Sequence, residues 1–348
     1  MLIKASLALL LVNNASALST PAMDALHQAT QATQIKTIKW PFDADVAQAR
    51  WGHDAQRAEL AKTPRGKNET FTFSLIGDSE PGRFWFERVF PPKGKKVFQS
   101  LMTDMQDRSH DFVLQLGDFV SRGTPKNYAK FIEKLEAVAD RPFFPIIGNH
   151  DRKKTNPKKP ADRSLYKAAF ASRAVPSYRN TDFFFEHGGY RIVCLDDSGG
   201  ALSEDQLTWL DSVLDTDQIK IVALHIPPAY LKGRWALPAE MPEQGAEEAE
   251  KALKTSRAYF GTGAREFSEI VSRRGVERVY MGHIHALAYA EYAGVRYVLS
   301  GGGGSPLYSY PGSPGQKISH YIMVEAGPEG VRETIVTSRG EEMAFAAL

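Results

Sequence analysis

An α/β fold is what this sequence predicts, and three observations predict it. From residue 71 onward, short apolar runs rich in β-branched and aromatic residues alternate with longer amphipathic stretches. The apolar runs repeatedly stop at a Gly that is followed at once by a carboxylate, amide or imidazole, as in "VLQLGDFVSRG" and "FFPIIGNHD". No repeat of about 20–50 residues interrupts this order, so a solenoid or propeller is excluded. The chain has 348 residues, 43% of them hydrophobic and 11% aromatic, enough for a sizeable buried core. The net charge of only +2 gives no dominant basic face, so no stable nucleic-acid complex is expected.

The chain opens with "MLIKASLALLLVNNASALST": Lys4, an apolar stretch over residues 5–12, then Ala15-Ser16-Ala17. That order reads as a secretory signal peptide, residues 1–17, cleaved after Ala17. The stretch falls short of the roughly 20 residues that span a bilayer, and no other segment is long and apolar enough, so no transmembrane segment is expected. A periplasmic or secreted location follows. The single cysteine, Cys194, lies in the strand-like "RIVCLDD" and excludes an internal disulfide. Residues 18–68 are polar and Ala/Gln-rich and read as a leader that carries a short helix or packs on the domain surface. The main domain is placed at 69–340.

Within it, "FTFSLI", a helix with apolar positions at Val97, Leu101, Met102 and Met105, and "DFVLQL" form a strand–helix–strand unit, which implies a parallel crossover. "NYAKFIEKLEAVA" and "FFPII" continue the alternation. "DFFFEHGGYRIVCLD" reads as a hairpin turning at Gly188-Gly189. "SEDQLTWLDSVL" is a helix with Ser203 as its N-cap, and "IKIVAL" is a strand that runs into His225. Residues 227–263 turn charged and irregular and read as a lid-like insertion. Within them Tyr230, Trp235 and Phe260 are available either to stack on a nucleobase or to pack the lid. "FSEIVSRRG", "VERVYMG", a hairpin ending in "SGGGG" and a final hairpin complete the domain.

The polar residues that follow the predicted strands are Asp78, Asp118, Asn149 with His150, His225, and His283 with His285. Ligand sites gather outside the carboxyl ends of strands in open α/β sheets. Oxygen and imidazole donors without thiolate suit divalent Mn, Fe, Zn, Mg or Co, and this set exceeds what one ion uses. Two ions sharing a carboxylate can clamp both the attacking and the leaving oxygen of a phosphoryl displacement. The bland reading of each position is an Asx turn or a hydrogen-bonded strand-end histidine.

The blocks "GDSE", "GDFVSRG", "GNHD", "LHIPP" and "GHIH", in this order, resemble those of the calcineurin-like metallophosphoesterase superfamily, in its secreted bacterial type, over residues 71–336. The resemblance implies a sandwich of two mixed β-sheets flanked by α-helices. It also implies a phosphoesterase with two divalent metal ions (Mn, Fe, Zn or Mg), whose shared hydroxide attacks the phosphorus of a phosphate-ester small molecule or nucleotide. Asp118 would bridge the metals, with Asp78 and His285 on one and Asn149, His225 and His283 on the other. His150 would sit over the substrate as the catalytic residue, stabilising the transition state or protonating the leaving oxygen, with Asp151 as its orienter, and Arg122 would bind substrate or else bridge surface carboxylates.

The chain departs from the family pattern twice. Where Asp-x-His is usual, it has Asp78-Ser79-Glu80, so Glu80 either replaces the His as a metal ligand or points away. Ser121 stands where purple acid phosphatases place a ligating Tyr, which argues against a ferric chromophore. The other reading of the same fold is a non-catalytic protein that binds a phosphate ligand or another protein through an altered metal site. The "GGGGSP" loop reads as a pocket wall or a flexible turn. The basic run Arg152, Lys153, Lys154, Lys158, Lys159 reads as a solvated loop or as an attractor of anionic substrates. Oligomeric state is not legible.

Overall fold

The computed structural model of the chain describes residues 43–79, 97–153, 162–171, 177–178, 181–236, 259–305 and 319–344. All of them fall within one compact unit, residues 41–348. The signal segment, Glu80 and residues 237–258 of the lid-like insertion lie outside the described residues.

The strands form two sheets. One holds β1 (Phe71–Ile76), β2 (Phe112–Gln115), β3 (Phe143–Pro145), β11 (His320–Gly327), β12 (Gly330–Thr337) and β13 (Glu342–Ala344), in the order β13-β12-β11-β1-β2-β3. The other holds β4 (Ser177–Tyr178), β5 (Asp182–His187), β6 (Tyr190–Cys194), β7 (Ile219–Ala223), β8 (Val276–Met281), β9 (Leu287–Tyr292) and β10 (Val295–Ser300), in the order β4-β5-β6-β7-β8-β10-β9. Both are mixed: β1, β2 and β3 pair in parallel while β11 joins β1 antiparallel, and β6, β7, β8 and β10 pair in parallel between antiparallel edges.

The period-2 alternation of side chains sets the layers. Phe73, Leu75, Phe112, Leu114 and Phe144 of the first sheet meet Phe183, Phe185, Ile192, Cys194, Ile221 and Ala223 of the second in a central core. The intervening residues of β6, β7 and β8, among them Val193, Val222, Val279 and Met281, face the opposite way and pack under helices α6 (Glu204–Val213) and α7 (Ala264–Arg273). On the far side of the first sheet, α3 (Val97–Gln106) and α4 (Pro125–Val138) bury Phe98, Leu101, Met105, Phe131 and Leu135. The result is a sandwich of two mixed sheets flanked by helices, as the resemblance implied. Ser203 caps α6 with a full capping box, its side chain accepting from Gln206 N–H while Gln206 reaches back to the cap backbone.

Two further helices, α1 (Ala44–Trp51) and α2 (His53–Leu60), arise in the polar segment before β1. α1 packs against α5 (Ser164–Ala169), where Gln48 Nε2 donates to the Lys167 carbonyl at 2.8 Å. α2 docks on β3: His53 Nε2 donates to the Pro145 carbonyl at 3.1 Å, and the Phe143 N–H donates to Gln56 Oε1 at 2.7 Å. In the described parts of the insertion, Pro228 pairs with Phe260, and Phe260 is fully buried in the outer core. Tyr230 packs against the same core, its hydroxyl 2.9 Å from that of Tyr297. Phe260 is therefore not free to stack on a base, and the half-buried Tyr230 ring stacks on Tyr292, centroids 4.7 Å apart. No helix among the described residues is long and apolar enough to cross a membrane.

Candidate metal centre

The strands β1, β2, β3, β7 and β8 end on the same side of the sandwich, so the turns that follow them converge. Gly117 (φ +87°) lets the β2 turn run tight against His225; a Cβ there would overlap the imidazole. Gly148 lies so close to the Asp118 backbone and carboxylate that a Cβ would overlap both. These close approaches explain the repeated strand-Gly-polar pattern: the glycine clears the space in which the next residue's side chain works.

Asp118, His225 and His283 offer ligand atoms that all lie within 4.8 Å of one another. His225 is fully buried and its ring is fixed by Nδ1, which lies 2.7 Å from the Leu116 carbonyl. A carbonyl only accepts, so Nδ1 carries the hydrogen and Nε2 of the neutral ring is a bare lone pair. That atom faces Asp118 Oδ1 at 3.3 Å, Asn149 Oδ1 at 3.1 Å and His283 Nδ1 at 3.2 Å. A lone pair facing a carboxylate oxygen, an amide oxygen and a second imidazole nitrogen suits a cation at its focus, either a proton or a metal ion.

The electrostatics describe the proton-bearing state. Burial alone would lower the His225 pKa, but the Asp118 charge outweighs it and raises it to about 10. Burial and the neighbouring His225 lower His283 to about 3. Burial would raise Asp118, yet the surrounding imidazoles, His225 first, hold its carboxyl well below the usual range. In the metal-free protein His225 therefore carries the positive charge that an ion would otherwise supply.

A second focus adjoins the first. Asp78 is fully buried and its Oδ2 accepts the His283 N–H at 2.8 Å, while Oδ1 has no hydrogen-bond partner. His285 Nε2 lies 3.4 Å from that orphaned oxygen. A buried carboxylate oxygen without a hydrogen-bond donor is costly unless a cation, a protonated His285 or an ion, lies beside it. Asp78, Asp118 and His283 all have positive φ, 51°, 53° and 72°.

His150 sits beside this centre and is partly exposed. Its N–H donates to Asp118 Oδ1 at 2.8 Å, its Nδ1 lies 2.9 Å from the Ser121 carbonyl, and its Nε2 is 4.0 Å from Asp118 Oδ2. The carbonyl of Ser121, rather than Asp151, thus provides the orienting contact on the ring. The fully buried Asp151 carboxylate is taken up by three backbone N–H groups, those of Asp118 (2.9 Å), Val120 (3.0 Å) and Gly148 (2.7 Å). Arg122 is exposed, on the turn that leads into α4, and its backbone carbonyl accepts from Asn127 Nδ2. The Gly301–Gly304 stretch is buried and tied to the β1 turn: Gly303 N–H donates to the Gly77 carbonyl, and Ser305 N–H to that of Asp78. Gly301, Gly303 and Gly304 admit neighbouring backbone, and Gly302 admits the His320 ring.

Sequence reasoning passed over Asp197, whose carboxylate accepts the N–H groups of His225 (2.9 Å) and Ile226 (2.7 Å) and whose pKa burial raises to about 7. Its signal was present, since Asp197 follows "RIVCL" as the other site residues follow their strands. His53, His110, His187 and His320 all have contacts away from the centre, with Pro145, Arg108, Asp111 and Ser300 respectively.

No curated protein matches the chain. Among solved structures it is similar to a purple acid phosphatase from yellow lupin (Lupinus luteus) seeds, at 14% identity and a TM-score of 0.57. That match covers 80% of this chain and 54% of the lupin protein, about half its length. It is also similar to PhoD, at 10% identity and a TM-score of 0.50, over 82% of this chain and 73% of that one. At such identities the likeness speaks for the fold alone. The profile of the calcineurin-like phosphoesterases matches residues 76–287, which hold every strand end of the centre, and the chain belongs to that family.

Proposed function

We propose that this chain hydrolyses a phosphate ester at a centre of two divalent metal ions. The observation that carries the reading is the pair of adjacent foci: acceptor atoms of Asp118, Asn149, His225 and His283 turned on one another, and the orphaned Asp78 oxygen facing His285. Asp118, lying against His225 through Oδ1 and near His150 through Oδ2, is suited to be shared between the ions. Glu80 remains a candidate ligand beside Asp78.

Bound there, the ions supply Lewis acidity toward a phosphoryl oxygen and make water a stronger acid. The chain's own residues do the rest. Leu116 and Asp197 fix the ring and backbone of His225. The Ser121 carbonyl aims the His150 ring so that Nε2 points into the substrate space, where the imidazolium form hands a proton to the leaving oxygen and stabilises the charge that develops on it. Arg122, exposed on the turn that leads into α4, would meet the non-reacting oxygens of the ester. Export belongs to the same proposal, resting on Lys4, the apolar residues 5–12 and Ala15-Ser16-Ala17.

The test is calorimetric titration of Mn, Zn, Fe or Mg into metal-free protein, with turnover followed on phosphomonoesters, diesters and nucleotides. Close to two ions per chain are expected, and Asp118→Asn should reduce occupancy at both positions. Because His225 is protonated at neutrality, ion binding should release a proton. Apparent affinity should therefore rise with pH toward about 10, and the measured heat should depend on the buffer's ionisation enthalpy. One ion in fully active protein would contradict the dinuclear centre. Two ions without turnover on any phosphate ester would leave the non-catalytic reading.

A further inference from the structure

Beside the centre lies a pair of arginines whose charges are only half compensated. Lys153 and Asp162 close the base of a loop through an antiparallel bridge, each N–H donating to the other's carbonyl, at 2.8 and 3.0 Å. That register places the next residues, Arg152 and Arg163, opposite each other. Like charges facing across such a pair repel. Arg163 is neutralised by Asp196, which it grips through Nε and Nη2. Arg152 has no such partner among the described residues: its Nε is buried and makes no hydrogen bond. Burial and the Arg163 charge lower its pKa. Arg152 follows His150 by two residues, and Asp196, which holds Arg163, adjoins Asp197, the acceptor of the His225 N–H, so both arginines are tied to turns that border the centre.

Among the described residues, the side of the pair next to residues 199–200 is exposed. Gly199 and Gly200 are exposed, and a Cβ on Gly199 would lie 3.5 Å from Arg163 Nη2 and 4.0 Å from Arg152 Nη1. Ser198 Oγ donates to Asp196 Oδ1 at 2.5 Å, which holds this loop against the Arg163 ion pair. Both guanidinium groups thus border the exposed glycine, within reach of one anion placed beside it. A guanidinium fork matches the paired oxygens of phosphate.

Resting on the phosphoesterase reading above, we propose that Arg152, with Arg163 and residues 198–200, forms a subsite for a second phosphoryl group, so that the preferred substrates are phosphoanhydrides such as nucleoside diphosphates. The terminal phosphorus lies at the metal centre and the inner phosphate on the arginine pair. One water is consumed: its oxygen bonds to the terminal phosphorus as the bond from that phosphorus to the bridging oxygen breaks. Orthophosphate and a phosphomonoester leave, with one proton released overall. The bridging oxygen departs on the side where His150 precedes Arg152 by two residues.

The test compares 5′-ADP with p-nitrophenyl phosphate in the parent and in Arg152→Gln, both metal-loaded. A charge-assisted hydrogen bond is worth about 1.5–3 kcal/mol, so the ratio of kcat/KM for the two substrates should fall roughly 10–100-fold. Arg152→Lys should recover part of it. A second arm reads binding alone: the calorimetric preference of the metal-loaded protein for methylenediphosphonate over methylphosphonate should shrink by a similar factor in Arg152→Gln. Equal losses on both substrates, or an unchanged preference in both arms, overturn the subsite. Should the parent turn over no phosphorylated compound, the phosphoesterase reading fails and the binding arm alone decides the subsite.

Discussion

Replacing His150 with Ala is expected to lower turnover by roughly 10²–10⁴-fold, the range associated with loss of a general acid, while metal content stays close to that of the parent. The separation of the two readouts follows from which part of His150 touches the centre. Its backbone N–H holds Asp118 Oδ1 at 2.8 Å, and that contact survives truncation of the side chain. The imidazole reaches no nearer than 4.0 Å to Asp118 through Nε2 and is held at Nδ1 by a carbonyl. Turnover on a chromogenic ester together with elemental analysis of the same preparation checks this. If metal is lost in step with activity, the ring is a ligand and its assignment to the substrate is wrong.

Asp151→Ala is expected to cost at least about 3 kcal/mol of folding stability. Three buried N–H groups lose their acceptor together, and each unsatisfied donor costs about 1–3 kcal/mol. The damage should not stay local, because the three donors belong to the turns after β2 and β3 that present Asp118 and Asn149. Asp151→Asn, which keeps one acceptor oxygen, should fall between the two. Chemical denaturation of the three proteins in excess metal decides the matter. An Ala variant within about 1 kcal/mol of the parent would show that solvent replaces the carboxylate without penalty.

Much of the centre was legible because its logic is local: a strand, a glycine that clears space, then a donor. Asp78, Asp118, Asn149 and His283 were found that way, His225 as the residue its strand runs into and His285 two residues past His283, and the structure brings them to one end of the sandwich. Residues that act across the fold were not legible. Asp151 looks in sequence like the partner of the adjacent His150, yet its carboxylate turns to backbone from positions 118, 120 and 148, a choice set by how two turns meet in space. The confrontation of Arg152 with Arg163 depends on a bridge between residues nine apart, which no periodicity announces. Phe260 illustrates a third limit. An aromatic in an irregular, charged stretch has no pattern to tell it whether to face ligand or core, and here the pairing of Pro228 with Phe260 sends it inward. A short helix was expected somewhere in the leader, but the two helices at 44–60 could not be placed because their helical faces are weakly apolar and they form by docking, one on α5 and one on β3.

The left-handed backbone of Asp78, Asp118 and His283 bears on how this centre can change over evolutionary time. Conformations of that kind cost roughly 1–3 kcal/mol for most side chains, but Asn, Asp and His enter them several-fold more readily than the rest. The residues that the turns tolerate are thus the same few that can coordinate a cation. Exchange among them, oxygen for nitrogen or charged for neutral, retunes which ion is preferred while leaving the scaffold undisturbed. A β-branched or bulky replacement carries a double penalty, forfeiting the ion and straining the turn that held it. Ion preference at these positions is accordingly free to drift, whereas the capacity to bind an ion is guarded by the geometry of the chain itself.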